Sequence, residues 1–435
     1  MMGNWAEQVR RRLADGVGTQ LLGFGGRGLS VVLSFAVTWY IGNRFGPAGS
    51  GHYALITQTG MLFSLFVLVG MDFAVVREFA AAPAGERRVM RRSLLGLLAF
   101  IVATNAAFGA VVTLLIPPEW TLERLGLGSG RLELAFIGAV MISRSIMRAT
   151  GAFLRSQGDY TLGQLVELLL IPLIVLTFIL TVHFRSVDQL LLVTAGAGLA
   201  AAVLGVAGCL RHTQDAPGQV AVSVRRLLLI GFPQWGIAVM LNLIDWWSLA
   251  VVSSSSGLGD AGVYRVAAQI GGVLTFGVTG VTAVMSVQIA RAHHAGDTAA
   301  IARLCRRSTR LILALVVPPT LVLFVAAPDV LALIGPEFAR GAGVMRILLV
   351  VQIVHGLLCS AGQVFIIKGR PRTNIALTTV TTGGFLGLAP LLYAAIGMEG
   401  VAIASLLFFF SRGVAEFIIV WRTIGINGIS GRVRE

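Results

Sequence analysis

Apolar residues in this chain come in long runs, without the alternation that marks strands. Twelve such runs lie near residues 19–42, 53–71, 94–116, 132–152, 162–182, 189–210, 227–252, 262–290, 309–327, 345–367, 374–396 and 399–421. Each is close to the ~20 residues that an α-helix needs to cross the ~30 Å core of a bilayer. Lipid offers no partner to backbone N–H and C=O groups, so runs of this length satisfy themselves as helices. The pattern predicts an all-α polytopic membrane protein of about 12 transmembrane helices. The eighth run exceeds what a span needs, which predicts a tilt or a kink.

Composition strengthens that reading. Of the 435 residues, 56% are hydrophobic and 12% charged, about half the charge that a soluble surface carries. Twelve spans leave connections too short for a soluble catalytic domain. The 53 glycines, many of them inside the runs, suit close packing of helices in lipid. Cys209, Cys305 and Cys359 are widely spaced, so neither a disulfide framework nor a zinc site is expected. No metal or cofactor is called for. Met1 to Gly18 is polar and basic, and no cleavable signal is expected before the first span.

The net charge of +14 has two readings, a nucleic-acid partner or a basic face turned to one side of a membrane. Position decides between them. One set of alternate connections carries only Arg44, Arg124, Arg131, Arg185, Arg340 and Arg346, while the other carries most of the remaining arginines and Lys368. That asymmetry predicts cytoplasmic N- and C-termini, contact with anionic membrane lipids, and no nucleic acid.

The chain also repeats. A shift of 211 residues lays Gly46 to Gly60 on Gly257 to Gly271, matching Gly46, Gly51, Tyr53, Gln58 and Gly60 to identical residues. The same shift puts Gly151 on Gly362, Gly158 on Gly369 and Pro117 on Pro328. Two pseudo-symmetric six-helix lobes are therefore expected, residues 1–215 and 216–435, in parallel orientation. Arg225 and Arg226 could open an interfacial segment leading into the seventh span.

Charge inside a span is costly and marks candidate chemistry. Arg27, Ser30, Ser34 and Thr38 share one face of the first span. Gln234, Asp245 and Ser248 share a face of the seventh, with Asn242 at its edge. Arg265, Gly272, Thr279, Thr282 and Ser286 line the eighth, with Gln269 alongside. Three polar stripes predict a wet cavity in which Arg27, Ser34, Thr38, Gln234, Asn242, Arg265 and Gln269 bind an anionic, hydroxyl-rich ligand. Guanidinium binds phosphate through paired hydrogen bonds and stays charged when buried. The competing reading is that these arginines only pair with carboxylates or cap carbonyls.

Asp245 and Arg265 reach similar depths, so they are candidates for a gating or ion-coupling pair. Arg144 and Arg148, one turn apart and opposite Glu167, are expected to form a structural ion pair with it. Arg412 and Glu416 at i,i+4 are expected to satisfy each other. His355 is read as a packing residue and His293-His294 as a solvated loop. Signatures of an ATP-binding loop, a zinc hydrolase or paired catalytic carboxylates are missing, so no enzyme is expected.

Several segments together resemble a known family. They are Phe45-Gly46-Pro47, Gly51-His52-Tyr53, Gly70-Met71-Asp72, Gly231-Phe-Pro-Gln234 through Asn242-Leu-Ile-Asp245, and Gly262-Val-Tyr264. Ile334 to Phe338, Lys368 to Arg372 and Gly397 to Ala402 complete the set. In order and spacing they resemble polysaccharide flippases, the Wzx-like branch of the multidrug/oligosaccharidyl-lipid/polysaccharide exporter superfamily. The resemblance implies two six-helix lobes around a central cavity, alternating access, and a bacterial inner-membrane location. It implies an undecaprenyl-diphosphate-linked oligosaccharide as cargo, a monomer, and coupling to the polymerase and glycosyltransferases of the same pathway. Within the same fold the alternative is a small-molecule or drug cation antiporter. A membrane polysaccharide polymerase or ligase would need a larger external loop than 117–131.

Overall fold

Helices form every long element of this computed structural model, which describes residues 17–80, 91–115, 131–213, 224–367 and 371–424; no strand occurs among them. The expectations placed on 117–130, on Lys368-Gly369-Arg370 and on both chain ends lie outside the described residues. In chain order the helices are α1 (Val17–Leu68), α2 (Met71–Ala80), α3 (Arg91–Leu115), α4 (Arg131–Ser156), α5 (Tyr160–Thr181), α6 (Val187–Arg211) and α7 (Val224–Ser256). Then follow α8 (Leu258–Gly272), α9 (Thr275–His294), α10 (Thr298–Val325), the short α11 (Ala327–Ala332), α12 (Ala342–Ile367), α13 (Pro371–Ile396) and α14 (Met398–Ile424). A 3-10 turn, Pro336–Gly341, leads into α12.

Ten of these helices, α8 and α9 being taken together, are long and apolar enough to cross a membrane. The difference from twelve has two causes. The first two expected spans run together as α1, bent at Gly46 (φ 67°, ψ −169°) with Pro47 following. That backbone conformation suits glycine, and a proline lacking its N–H is tolerated where a new helical run begins. Gly257, at the shifted position, has φ 88° and ψ 179° between α7 and α8. The second cause is α4, whose Glu133, Arg144, Arg148 and Arg155 make it too polar to qualify by composition.

The repeat seen in the glycines extends to helix boundaries. Shifted by 211 residues, the first residues of α4, α5 and α6 fall on those of α12, α13 and α14. Compact units nevertheless cut the chain differently from 1–215 and 216–435. One comprises Met1–Tyr40 with Leu55–Val239, the other Ile41–Ala54 with Met240–Glu435. Helix α7 therefore contributes its first half to one unit and its second half to the other. The cause is local packing: the Trp235 indole N–H donates to the Leu65 carbonyl (2.8 Å), tying the start of α7 to α1.

In the first unit α4 is the central helix, packed by α2, α3, α5 and α6. Its core joins Leu68, Met71, Leu97, Phe153, Leu154 and Leu227. Gly198 and Gly205 of α6 lie directly on Ser143 and Thr150 of α4, the small-residue contact that substitutes in lipid for expulsion from water. In the second unit α12 plays the same part against α8, α9, α10 and α14. Met285, Ile289, Ile301, Phe365 and Val420 close its core.

Candidate functional site

The structure distributes the expected site residues over both units. In the first, Arg27 lies ten residues into α1, about 15 Å from its start at 1.5 Å per residue. It is exposed and belongs to none of the ion pairs among the described residues. Ser34 and Thr38 are half-buried, and the Thr38 hydroxyl donates to the Ser34 carbonyl (3.0 Å). Ser30 turns elsewhere: its hydroxyl donates to the Leu168 carbonyl (3.1 Å), inside a π-helical turn at Leu165–Leu169 of α5. Such a turn departs from the i→i−4 pattern and is common near functional sites. Gln234 of α7 is exposed beside Trp235, which anchors the helix there.

In the second unit Asn242, Asp245 and Ser248 follow along α7. Asp245 is exposed, and its charge is coupled to that of Arg265 on α8. Next to Arg265, Tyr264 is buried, as are Ser248 of α7 and Ser405 of α14, whose hydroxyls donate to the Ile244 and Val401 carbonyls of their own helices. Gln269 is half-buried one turn further on. The kink expected in the eighth run is a break between α8 and α9, where the Thr275 hydroxyl donates to Gln352 Oε1 (3.0 Å). Thr279, Thr282 and Ser286 bond carbonyls of their own helix.

The expected pairing of Arg144 and Arg148 with Glu167 is corrected. Arg148 pairs with Asp72 of α2, its Nη2 at 2.8 Å and Nε at 3.2 Å from one carboxylate oxygen. Glu167 pairs with Arg155. Glycines explain the choice. Gly163 leaves room for the Arg155 stem, Gly151 leaves room for the Glu167 carboxylate, and the two backbones meet there. Arg144 is half-buried and engaged in an interaction of its own.

On α14, Arg412 and Glu416 pair as expected (3.1 Å), and Arg412 also donates to Asn374 of α13 (3.4 Å). His355 packs its ring 5.4 Å from Phe409. His293 and His294 occupy the last turn of α9 instead of a loop. Among the described residues no group of three His, Cys, Asp or Glu side chains could hold a metal.

Sequence reasoning missed Asp72 and Arg155 as ion-pair partners. Asp72 was visible as an acid at a span end, and Arg155 carried no signal apart from its neighbours in space.

No protein-family model matches the sequence, and no curated protein matches it. In structure the chain is similar to the lipid II flippase MurJ in an inward closed conformation, with a TM-score of 0.71 and 12% identity, covering 93% of this chain and 87% of that one. It is also similar to a multidrug resistance MATE family transporter of the MOP superfamily in an inward-facing conformation. That match has a TM-score of 0.68 and 15% identity over 90% of this chain and 93% of the other. A MATE in complex with MaL6 gives 0.62 and 15% over 92% and 94%. The fold is therefore one found in transporters of that superfamily, a multi-pass helical membrane architecture.

Proposed function

We propose that this chain is a transporter that flips an undecaprenyl-diphosphate-linked oligosaccharide from the inner to the outer leaflet of a bacterial inner membrane. Both termini are cytoplasmic in this reading, on the side where the arginine-rich connections lie. Arg27 carries the proposal. An arginine deep in an apolar helix, with no ion-pair partner among the described residues, is sustained only by water or by an anion from outside the protein. A diphosphate meets that need with paired charge-assisted hydrogen bonds. Ser34 and Thr38 on the same face, with Gln234 in the same unit, offer the neutral hydrogen bonding that sugar hydroxyls use. Asp245 and Arg265 act as a latch whose coupling changes through the transport cycle.

The fold shared with the MurJ flippase supports lipid-linked cargo. The fold shared with a multidrug resistance MATE transporter leaves the drug antiporter as the second reading. An antiporter needs carboxylates free to meet a cation, and here the positive charge of Arg265 acts on Asp245.

Complementation of a strain lacking the gene tests the reading. R27A is expected to reach the membrane at the normal level yet leave surface polysaccharide unmade, and R27K to restore it partly. With the purified protein, undecaprenyl diphosphate is expected to raise the melting midpoint of the native chain and not that of R27A. Normal polysaccharide from R27A at normal expression would sink the role assigned to Arg27.

A further inference from the structure

The outward face of α10 changes character at one step. Arg303, Arg306, Arg307 and Arg310 are all exposed, while Ile301, Ala302, Cys305, Ser308 and Thr309 on the opposite side are buried. At 100° per residue the four arginines fall within roughly 100° of arc and span about 10 Å of helix. Beyond Arg310 the same outward stripe continues as Leu311, Leu315, Leu321, Val322 and Val325, all exposed. Helices α9 and α12 cover the other side.

A stripe that is apolar and uncovered for half its length, in a membrane fold, faces lipid tails. Its continuation past the last apolar residue then faces lipid headgroups. The 28 residues of α10 give a helix of about 42 Å, long enough for the hydrocarbon core and one headgroup layer. Arg310, nearest the apolar part, reaches that layer by snorkelling. One acidic side chain meets the row: Asp297 lies 3.8 Å from Arg303 through Oδ2 while its Oδ1 accepts from the Ala300 N–H, and among the described residues Arg306, Arg307 and Arg310 enter no ion pair. Arg291 and His294, exposed at the end of α9, add to the same field.

We propose that the Arg303, Arg306, Arg307 and Arg310 face of α10 is a docking site for the headgroups of anionic phospholipids. The site is an open row and has no enclosing walls, so each guanidinium takes a phosphate of the surrounding leaflet, and charge sets the selectivity. It uses none of the residues assigned to cargo and does not depend on what the protein transports.

The full-length protein in mild detergent provides the test. A photoactivatable phosphatidylglycerol is expected to label the peptide containing residues 298–313, and competition by unlabelled phosphatidylglycerol, but not by phosphatidylcholine, to remove that label. Native mass spectrometry of R303Q/R306Q/R307Q/R310Q is expected to show phosphatidylglycerol retention at least about tenfold weaker. Retention by R306K/R307K should stay near that of the native chain, because charge is kept. Labelling confined to other helices, equal competition by phosphatidylcholine, or competition by undecaprenyl diphosphate alone would each overturn the proposal. The labelling needs only the native chain, so a variant that fails to fold leaves it decisive.

Discussion

Gly51 and Gly262 meet where the two positive-φ bends bring α1 and α8 together: a Cβ on Gly51 would overlap the Leu258 carbonyl, and a Cβ on Gly262 would overlap the Pro47 carbonyl. The 211-residue shift carries Gly51 to Gly262 and Pro47 to Leu258, so the contact is reciprocal, a local two-fold made by one chain with itself. Both segments belong to one compact unit.

Adding a methyl group at either glycine must push backbone away from backbone. G51A and G262A are each expected to lower stability by about 1–3 kcal/mol, read as a lower melting midpoint in detergent. Gly236 of α7 has open space where a Cβ would go, so G236A serves as a control that melts no lower. If G262A melts with the control, the close approach is not required.

Asp72 and Arg148 join α2 to α4 through two hydrogen bonds to one carboxylate oxygen. D72N keeps the shape and removes the charge, and is expected to cost about 1.5–3 kcal/mol. R148Q should cost a similar amount, and the double variant less than the sum of the two, since contacting residues couple. Strict additivity in that cycle would show that the pair contributes nothing as a pair.

Helix positions were legible in the sequence because burial in lipid demands uninterrupted apolar length, and the repeat was legible because Gly46 and Gly257 serve the same backbone bend. The partners of the charges were not. Arg148, Arg155 and Arg144 recur on one face of α4, and nothing in their spacing tells which of them meets Glu167. Space left by Gly151 and Gly163 makes that choice, and it exists only once α4 and α5 are packed. Likewise Asp72 sits at a span end by sequence and against the central helix in the fold. Of the candidate site, Asp245 and Arg265 could be named from the sequence as charges inside α7 and α8, while the groups that each side chain meets depend on packing that residue spacing does not encode.

Gly163 offers a separate test of that space. A Cβ there would lie 2.9 Å from Arg155 Cγ and 2.9 Å from the Gly151 carbonyl oxygen. G163A is therefore expected to displace Arg155 from Glu167 and to lower the melting midpoint, and G163A/R155A to recover part of the loss because the shorter side chain vacates the space. A G163A protein as stable as the native chain would show that α4 and α5 can separate at no cost.

Asp245 of α7 and Arg265 of α8 lie close enough in the second unit for the charge of each to act on the other. Removing one charge takes away the field that the other meets, whereas removing both leaves two neutral side chains. D245N and R265Q are each expected to cost about 1–3 kcal/mol, less than for a sealed pair because Asp245 is exposed. The double variant D245N/R265Q should recover most of the protein level and melting midpoint. Transport separates packing from mechanism. If the pair only holds α7 to α8, the double variant regains activity along with stability. If the pair is the latch of the transport cycle, the double variant folds and inserts normally yet leaves surface polysaccharide unmade, because neutral partners no longer bind strongly in one state and release in the other.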